Sequence, residues 1–337
     1  MKFHRFVAAI FATTLIVGAS AKSMSASSKN TIIGVALSPA HFPYPSDRDI
    51  DQFFGEAAQI GSHVTWIVEW ESLPPTAYFK AVQEKARSHG LKFQLWLSPI
   101  ALMGGRKNPA IPKSIGGDSF GDANVRRAYI EEVLELASLK PDYLGLATEV
   151  NFLAQNPPEF VSFVSLAHEA YGAIKKKYPA QIVTLSFQWE VMTAQHQFAM
   201  LPQFAGSLDV YSFTSYPDAF GDPAKVKVAP DYYSSVRKIL PTQRIGFSEI
   251  GWSSAAPSNE DQQAAFFARM PELTAGARLE FVTLALLHDV SLFSADLERL
   301  NHVGIRTIDD SPKKSWDAIL NLPELQQDDV AALNSSR

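Results

Sequence analysis

Glu249 closes the apolar run in Arg244-Ile-Gly-Phe-Ser-Glu-Ile-Gly-Trp-Ser-Ser254, and Glu149 closes the one in Asp142-Tyr-Leu-Gly-Leu-Ala-Thr-Glu-Val-Asn151. Each stretch reads as a short strand that leads straight into a carboxylate. A buried strand end is a costly place for an unpaired charge. One such glutamate is commonly salt-bridged, but two of the same design point to a working pair. Paired carboxylates cleave glycosidic bonds, and a separation of roughly 5–5.5 Å suits the retaining mechanism. Trp252, three residues after Glu249, offers the kind of aromatic face on which sugars bind.

Other runs also end in polar and aromatic groups. Glu69, Trp70 and Glu71 follow the second run, Trp96 and Ser98 belong to the third, and Gln188, Trp189 and Glu190 follow the fifth. Trp189 and Trp252 are expected as sugar platforms, with Glu69, Trp70, Gln188 and His288 lining the substrate site. Trp66 and Trp96 lie inside runs and, with Trp316, are expected in the core. Rival chemistries lack their spacing. The eight histidines form no H-x-E or H-E-x-x-H pattern, so no metal site is expected. Gly246-Phe-Ser-Glu-Ile-Gly251 is G-x-S-x-x-G rather than the G-x-S-x-G elbow, which argues against Ser248 as a nucleophile. No G-x-G-x-x-G follows any apolar run, and no cofactor is expected.

The elements that would hold these groups alternate. Apolar runs at 32–37, 63–68, 92–97, 143–147, 182–187, 208–213, 245–248 and 281–287 read as eight strands. Helical patterns fall between them at 49–60, 76–89, 124–138, 158–178, 231–240, 258–273 and 312–322, with a looser stretch up to Phe204. Ser258 is the expected N-cap of its helix, with Asp261 three residues on. Eight strand–helix units in this length predict an α/β fold of the (β/α)8 TIM-barrel type, with one domain over 31–325. The connections at 98–123, rich in glycine, and at 289–311 are long enough to suggest function. Both leave the C-terminal ends of strands, where barrels hold their chemistry, so both are expected to wall the cleft of the two glutamates.

The start of the chain reads differently. Lys2 and Arg5 precede a 14-residue apolar run from Phe6 to Ala19, followed by Ala19-Ser-Ala21. This is the pattern of a signal peptide over 1–21, which predicts a secreted or periplasmic protein with no membrane span after cleavage. Residues 22–30 and 326–337 are expected to be flexible. Losing the two cations takes the formal net charge from −5 to −7. A mildly acidic chain without a basic patch is no nucleic-acid partner. With no cysteine and 46% hydrophobic residues, it rests on its core, and a monomer is expected.

On these motifs the chain resembles clan A glycoside hydrolases, retaining barrel enzymes such as β-1,3-glucanases, β-1,4-galactanases and β-mannanases. Ser248-Glu-Ile-Gly-Trp-Ser253 is similar to the nucleophile motif on their seventh strand, and Gly145-Leu-Ala-Thr-Glu149 to the acid/base strand. Asp209-Val-Tyr-Ser-Phe-Thr-Ser-Tyr-Pro217 is similar to the sixth strand, which implies that Tyr216 hydrogen-bonds the nucleophile. Gly304-Ile-Arg306 and Asp310-Ser-Pro-Lys-Lys-Ser-Trp316 resemble the closing segment. The resemblance implies that Glu249 is the nucleophile and Glu149 the acid/base, in an endo-acting hydrolase of β-linked carbohydrate. Three departures stand out. Thr148 replaces the asparagine that usually precedes the acid/base, leaving Asn151 as candidate substitute. Glu69 and Trp70 stand where an arginine is common. Leu287-His-Asp289 replaces a tryptophan at the end of the eighth strand. The alternative they leave open is a barrel that binds carbohydrate without cleaving it.

Overall fold

The computed structural model describes residues 31–102, 105–219 and 227–325, with the side chain of residue 296 excepted. The expected signal peptide, the 22–30 segment, the 326–337 tail and Gly104 lie outside the described residues.

Eight parallel strands close into a barrel in sequence order: β1 Ile33–Ala36, β2 His63–Glu69, β3 Lys92–Ser98, β4 Tyr143–Gly145, β5 Val183–Gln188, β6 Val210–Ser215, β7 Arg244–Ile250 and β8 Leu279–Leu284. The chain is thus a (β/α)8 TIM barrel. Closure comes from β1 pairing with β8, Gly34 against Thr283. Strands covered on both faces read as continuous apolar runs, which is why they were visible. The helices α1 Asp47–Ile60, α2 Thr76–Ser88, α3 Ala123–Ser138 and α4 Pro157–Lys177 match the periodic stretches closely. They bury Phe53 and Phe54 of α1, Tyr129 of α3, and Phe163 and Leu166 of α4 against the strands.

The later units are less regular. After β5 comes a short helix, α5 Trp189–Ala194, then a 3-10 stretch, Gln197–Phe204. The helix expected at 231–240 is only a 3-10 turn, Ser234–Lys238. The helix expected at 258–273 divides into α6 Glu260–Ala268 and α7 Met270–Thr274. Pro271 has no N–H to continue the ladder, so a new helix starts there. The cap of α6 is Asn259, which accepts from Gln262 N at 3.0 Å. Ser258 lies one residue before the cap, and its hydroxyl accepts the Trp252 indole N–H at 2.9 Å. The last helix is α8 Lys314–Leu320. Among the described residues, no helix is long and apolar enough to cross a membrane.

The barrel interior is filled by large rings seated on glycines. Trp96, Tyr143, Val210 and Phe281 pack together inside it. A Cβ on Gly145 would lie 2.2 Å from the Trp96 ring, and one on Gly246 would lie 2.5 Å from Phe281. Below them, Tyr143 donates to Glu280 at 3.1 Å, and Arg244 grips both oxygens of Glu280 at 2.8 and 2.9 Å. The N-terminal mouth is therefore plugged, and chemistry is left to the opposite end.

Candidate active site

Glu249 reaches the barrel mouth through a defect in its strand. Along β7 a Cβ on Gly246 would point inward at Phe281, so simple alternation would turn Ser248 in and Glu249 out. The register against β6 slips instead. Phe213 pairs with Phe247, but Thr214 pairs with Glu249, and Ser248 is the extra residue. Such a bulge re-aims the side chain that follows it. Glu249 turns inward and accepts a hydrogen bond from the Tyr216 hydroxyl. Burial pushes the Glu249 carboxyl above its ordinary range, while the Arg106 charge and the Tyr216 bond pull it back down. The Tyr216 phenol is pushed well up by burial and by the Glu249 charge, so it stays a donor.

Glu149 lies four residues beyond β4, in the left-handed region at φ 54° and ψ 46°. A non-glycine residue there costs on the order of 1–3 kcal/mol and persists only where its surroundings hold it. Three contacts do so. Glu149 N donates to Ser186 Oγ at 3.0 Å, Thr214 Oγ1 donates to Glu149 Oε1 at 2.5 Å, and Arg106 pairs with Oε2. Thr214 therefore ties the two glutamates: its backbone pairs with Glu249 and its hydroxyl meets Glu149.

Arg106 belongs to the loop after β3. Glu69 Oε1 accepts from Leu102 N at 2.6 Å, and Leu102 O accepts from Arg106 Nε at 3.2 Å. Glu69 thus anchors the loop that carries Arg106. The loop after β8 meets the same mouth. Arg299 donates to Asp218 O at 2.9 Å and to Asp218 Oδ2 at 2.7 Å, and Ser253 N donates to that same Oδ2 at 3.0 Å. Both long loops thus contact residues just beyond the ends of the strands that hold the glutamates.

Several residues expected to contact substrate are buried and bonded within the fold. Asn151 is fully buried; its amide accepts from Gln188 N at 2.7 Å and donates to Gln188 O and Gln197. It fastens the turn after β4 to β5. Gln188 caps α5 through Val191 N at 2.6 Å. Trp189 is 3% exposed and packs against Phe213 and Phe198, because α5 starts there and rolls the ring inward. Trp252 is 5% exposed and stacked on Phe266 at 4.9 Å. Trp70 packs edge-on against Tyr129. All six tryptophans are buried, so none offers an open platform.

No protein-family model matches the chain, and none of the curated proteins matches it. Its fold is shared by solved glycoside hydrolases. A family 39 glycoside hydrolase from the gut symbiont Bacteroides cellulosilyticus WH2 aligns with a TM-score of 0.65 at 17% identity, over 89% of this chain and 64% of that one. The exo-beta-1,4-mannosidase Op5Man5 from Opitutaceae bacterium strain TAV5 gives 0.68 at 14% identity, over 86% and 58%. A GH5_18 variant from Bifidobacterium longum subsp. longum, solved in complex with Manb1-4GlcNAc, gives 0.70 at 18% identity, over 91% and 79%. The chain spans less than two thirds of the first two proteins. At these identities the likeness is one of barrel fold.

His288 turns away from the mouth. Its ring bonds Ser38 O at 2.9 Å and Asp310 Oδ1 at 2.9 Å, with Glu56 Oε2 at 3.2 Å. Glu56, His288 and Asp310 are ligand types for a metal, their donor atoms lying within 4.8 Å of one another. Arg306 already supplies positive charge there, 2.8 Å from Asp310 Oδ1 and 3.5 Å from Glu56 Oε1. Burial disfavours the imidazolium, but the bonds to Glu56, Asp310 and Ser38 outweigh it and raise the His288 pKa. The group is a buried ion cluster that joins α1 to the loop after β8.

Sequence reasoning missed three residues beside the glutamates: Arg106, Thr214 and Ser186. Thr214 and Ser186 occupy inward positions near strand ends, which the alternation along β5 and β6 could have exposed. Arg106 lies 43 residues before Glu149 in a loop without periodicity, and no local signal joins the two.

Proposed function

We propose that the protein is an exported, endo-acting retaining glycoside hydrolase for β-linked polysaccharide or oligosaccharide, with Glu249 as nucleophile and Glu149 as acid/base. The observation that carries this reading is the bulge at Ser248. It turns Glu249 into the mouth beside Thr214, whose hydroxyl holds Glu149. In the first step Glu249 attacks the anomeric carbon while Glu149 gives its proton to the leaving oxygen. In the second, Glu149 takes a proton from water, which displaces Glu249 and releases the sugar with retained configuration. Tyr216 keeps charge on the nucleophile by donating to it. Arg106 favours the ionised form of its partner, so the first step requires substrate to draw Arg106 off Glu149.

The same Arg106–Glu149 pair favours a second reading, a barrel that binds carbohydrate with its acid/base held ionised. One experiment separates the two. Glu149→Ala leaves the nucleophile, so an activated aryl β-glycoside still forms the glycosyl-enzyme, and azide restores turnover with retained configuration. Glu249→Ala removes the covalent step, and azide gives the inverted product. Swapped stereochemistry would exchange the roles. Wild-type activity in both variants on β-1,3-glucan, β-1,4-galactan or β-mannan, read by reducing ends, would remove both residues from catalysis. A wild type that binds these glycans without cutting them would establish the binding reading.

A further inference from the structure

A third carboxylate stands behind the pair. Glu190, the second residue of α5, is 8% exposed and ends in a nest of donors. Its Oε2 accepts from Gln188 Nε2 at 2.5 Å and from Tyr216 N at 3.1 Å. Its Oε1 accepts from Ser215 Oγ at 2.6 Å and from the Tyr232 hydroxyl at 2.9 Å. Tyr233 adds a second layer, with its hydroxyl 3.1 Å from Ser215 Oγ. Burying a carboxylate is expensive, and burial does push this one above its ordinary range, while the bonds from Ser215, Tyr216 N and Tyr232 oppose it. A chain that only needed to fill this space would use an apolar or amide side chain. What Glu190 holds is the turn out of β6, at Ser215 and at the backbone of Tyr216.

We propose that Glu190 is the positioning residue of the active site: by gripping Tyr216 N and Ser215 Oγ it fixes the direction of the Tyr216 hydroxyl onto Glu249. The assignment rests on the proposed roles of Glu249 and Tyr216. β6 ends at Ser215, and the next residue must leave the ladder while its side chain stays aimed at the neighbouring strand. A backbone N–H there has no strand partner left, and Glu190 supplies one. The phenol bond to Glu249 then depends on a carboxylate that never touches substrate. The negative charge of Glu190 also helps keep the phenol protonated, and so a donor.

A positional role and a charge role predict opposite signs, which makes the proposal testable without any substrate. The readout is a 13C NMR titration of the Glu249 carboxyl in the full chain, assigned with Glu249→Gln. The charged or titratable groups near Glu249 are Arg106, Glu149 and Tyr216, and neither Glu190→Asp nor Glu190→Gln changes any of them. Glu190→Asp keeps the charge but withdraws it by one methylene. It is expected to raise the Glu249 midpoint by about one pH unit, approaching Tyr216→Phe, as loss of a hydrogen bond to an ionised group should. Glu190→Gln keeps an acceptor toward Tyr216 N and removes the charge, and is expected to leave the midpoint unchanged or lower. Adding Glu190→Asp to Tyr216→Phe should give no further rise, because both act through one bond. An unchanged midpoint in folded Glu190→Asp overturns the proposal, as does a fall in both single variants. If Glu190→Asp does not fold, Ser215→Ala removes one bond of the grip and should give a smaller rise; no rise there overturns it equally. Absence of glycosidase activity in the wild type would remove the functional reading and leave this titration readable.

Discussion

The Thr214 hydroxyl donates to Glu149 at 2.5 Å from the strand position that pairs with Glu249. One residue of β6 is thereby tied to both glutamates, by its hydroxyl to the Glu149 carboxylate and by its backbone to the strand position of Glu249. Changes at one glutamate's partners should be felt in the protonation of the whole.

Tyr216→Phe removes the donor that lowers the Glu249 pKa. The carboxyl then titrates higher, and under the proposed roles the acid limb of the kcat/KM profile, which would report ionisation of Glu249, moves to higher pH. The rate at the optimum should fall about 10- to 100-fold, the scale of a hydrogen bond to a charged group. A profile with an unmoved acid limb would detach Tyr216 from the nucleophile.

Arg106→Gln acts in the same direction, because the guanidinium also lowers the Glu249 pKa. Its signature is salt. Arg106 is 19% exposed, so screening weakens its field. The displacement of the acid limb relative to wild type should shrink as ionic strength rises. That caused by Tyr216→Phe should persist.

Glu249→Gln should stabilise the fold. A carboxyl whose pKa is raised on folding opposes folding at any pH above its unfolded value of about 4.3. The amide removes that cost while it can still accept from Tyr216. The Tm should rise by a few degrees at pH 7, and the gain should fade as pH falls well below about 4.3, where wild type is protonated in both states. A lower Tm at pH 7 would mean that the ionised form is favoured on folding.

His288 has the opposite sign. Its folded pKa is raised, so the stability it contributes is complete below about 6.5 and is lost as pH rises through the folded value. The Tm gap between wild type and His288→Gln should be wider at pH 6 than at pH 9. Equal gaps would mean that the ring is held neutral.

Trp252→Ala should cost about 3–5 kcal/mol of stability, the range for emptying a buried aromatic site, because the indole is stacked on Phe266 and bonded to Ser258. A large rise in KM with an unchanged Tm would return Trp252 to the substrate.

The barrel was legible because parallel strands and their covering helices write two different periods into the chain. The helix expected at 231–240 was not, because its apolar pattern survives in a 3-10 turn around the buried Val236. The two glutamates were legible as carboxylates at the ends of apolar runs. The bulge that aims Glu249 was not, since one extra residue at Ser248 leaves no mark in composition. Aromatic residues at strand ends misled for a related reason. Whether a ring faces the bowl or the helical layer depends on where the next element starts, and α5 starts on Trp189 itself.

The ladder between β1 and β8 has a consequence for synthesis. The two strands are joined by backbone bonds, yet β1 ends at Ala36 and β8 begins at Leu279. At ~5–20 residues per second, the nascent β1 waits on the order of tens of seconds for its neighbour to leave the ribosome. Through that interval the half-built sheet keeps an open edge of unpaired backbone, a template for stray pairing. The barrel therefore can close only after β8 has been made.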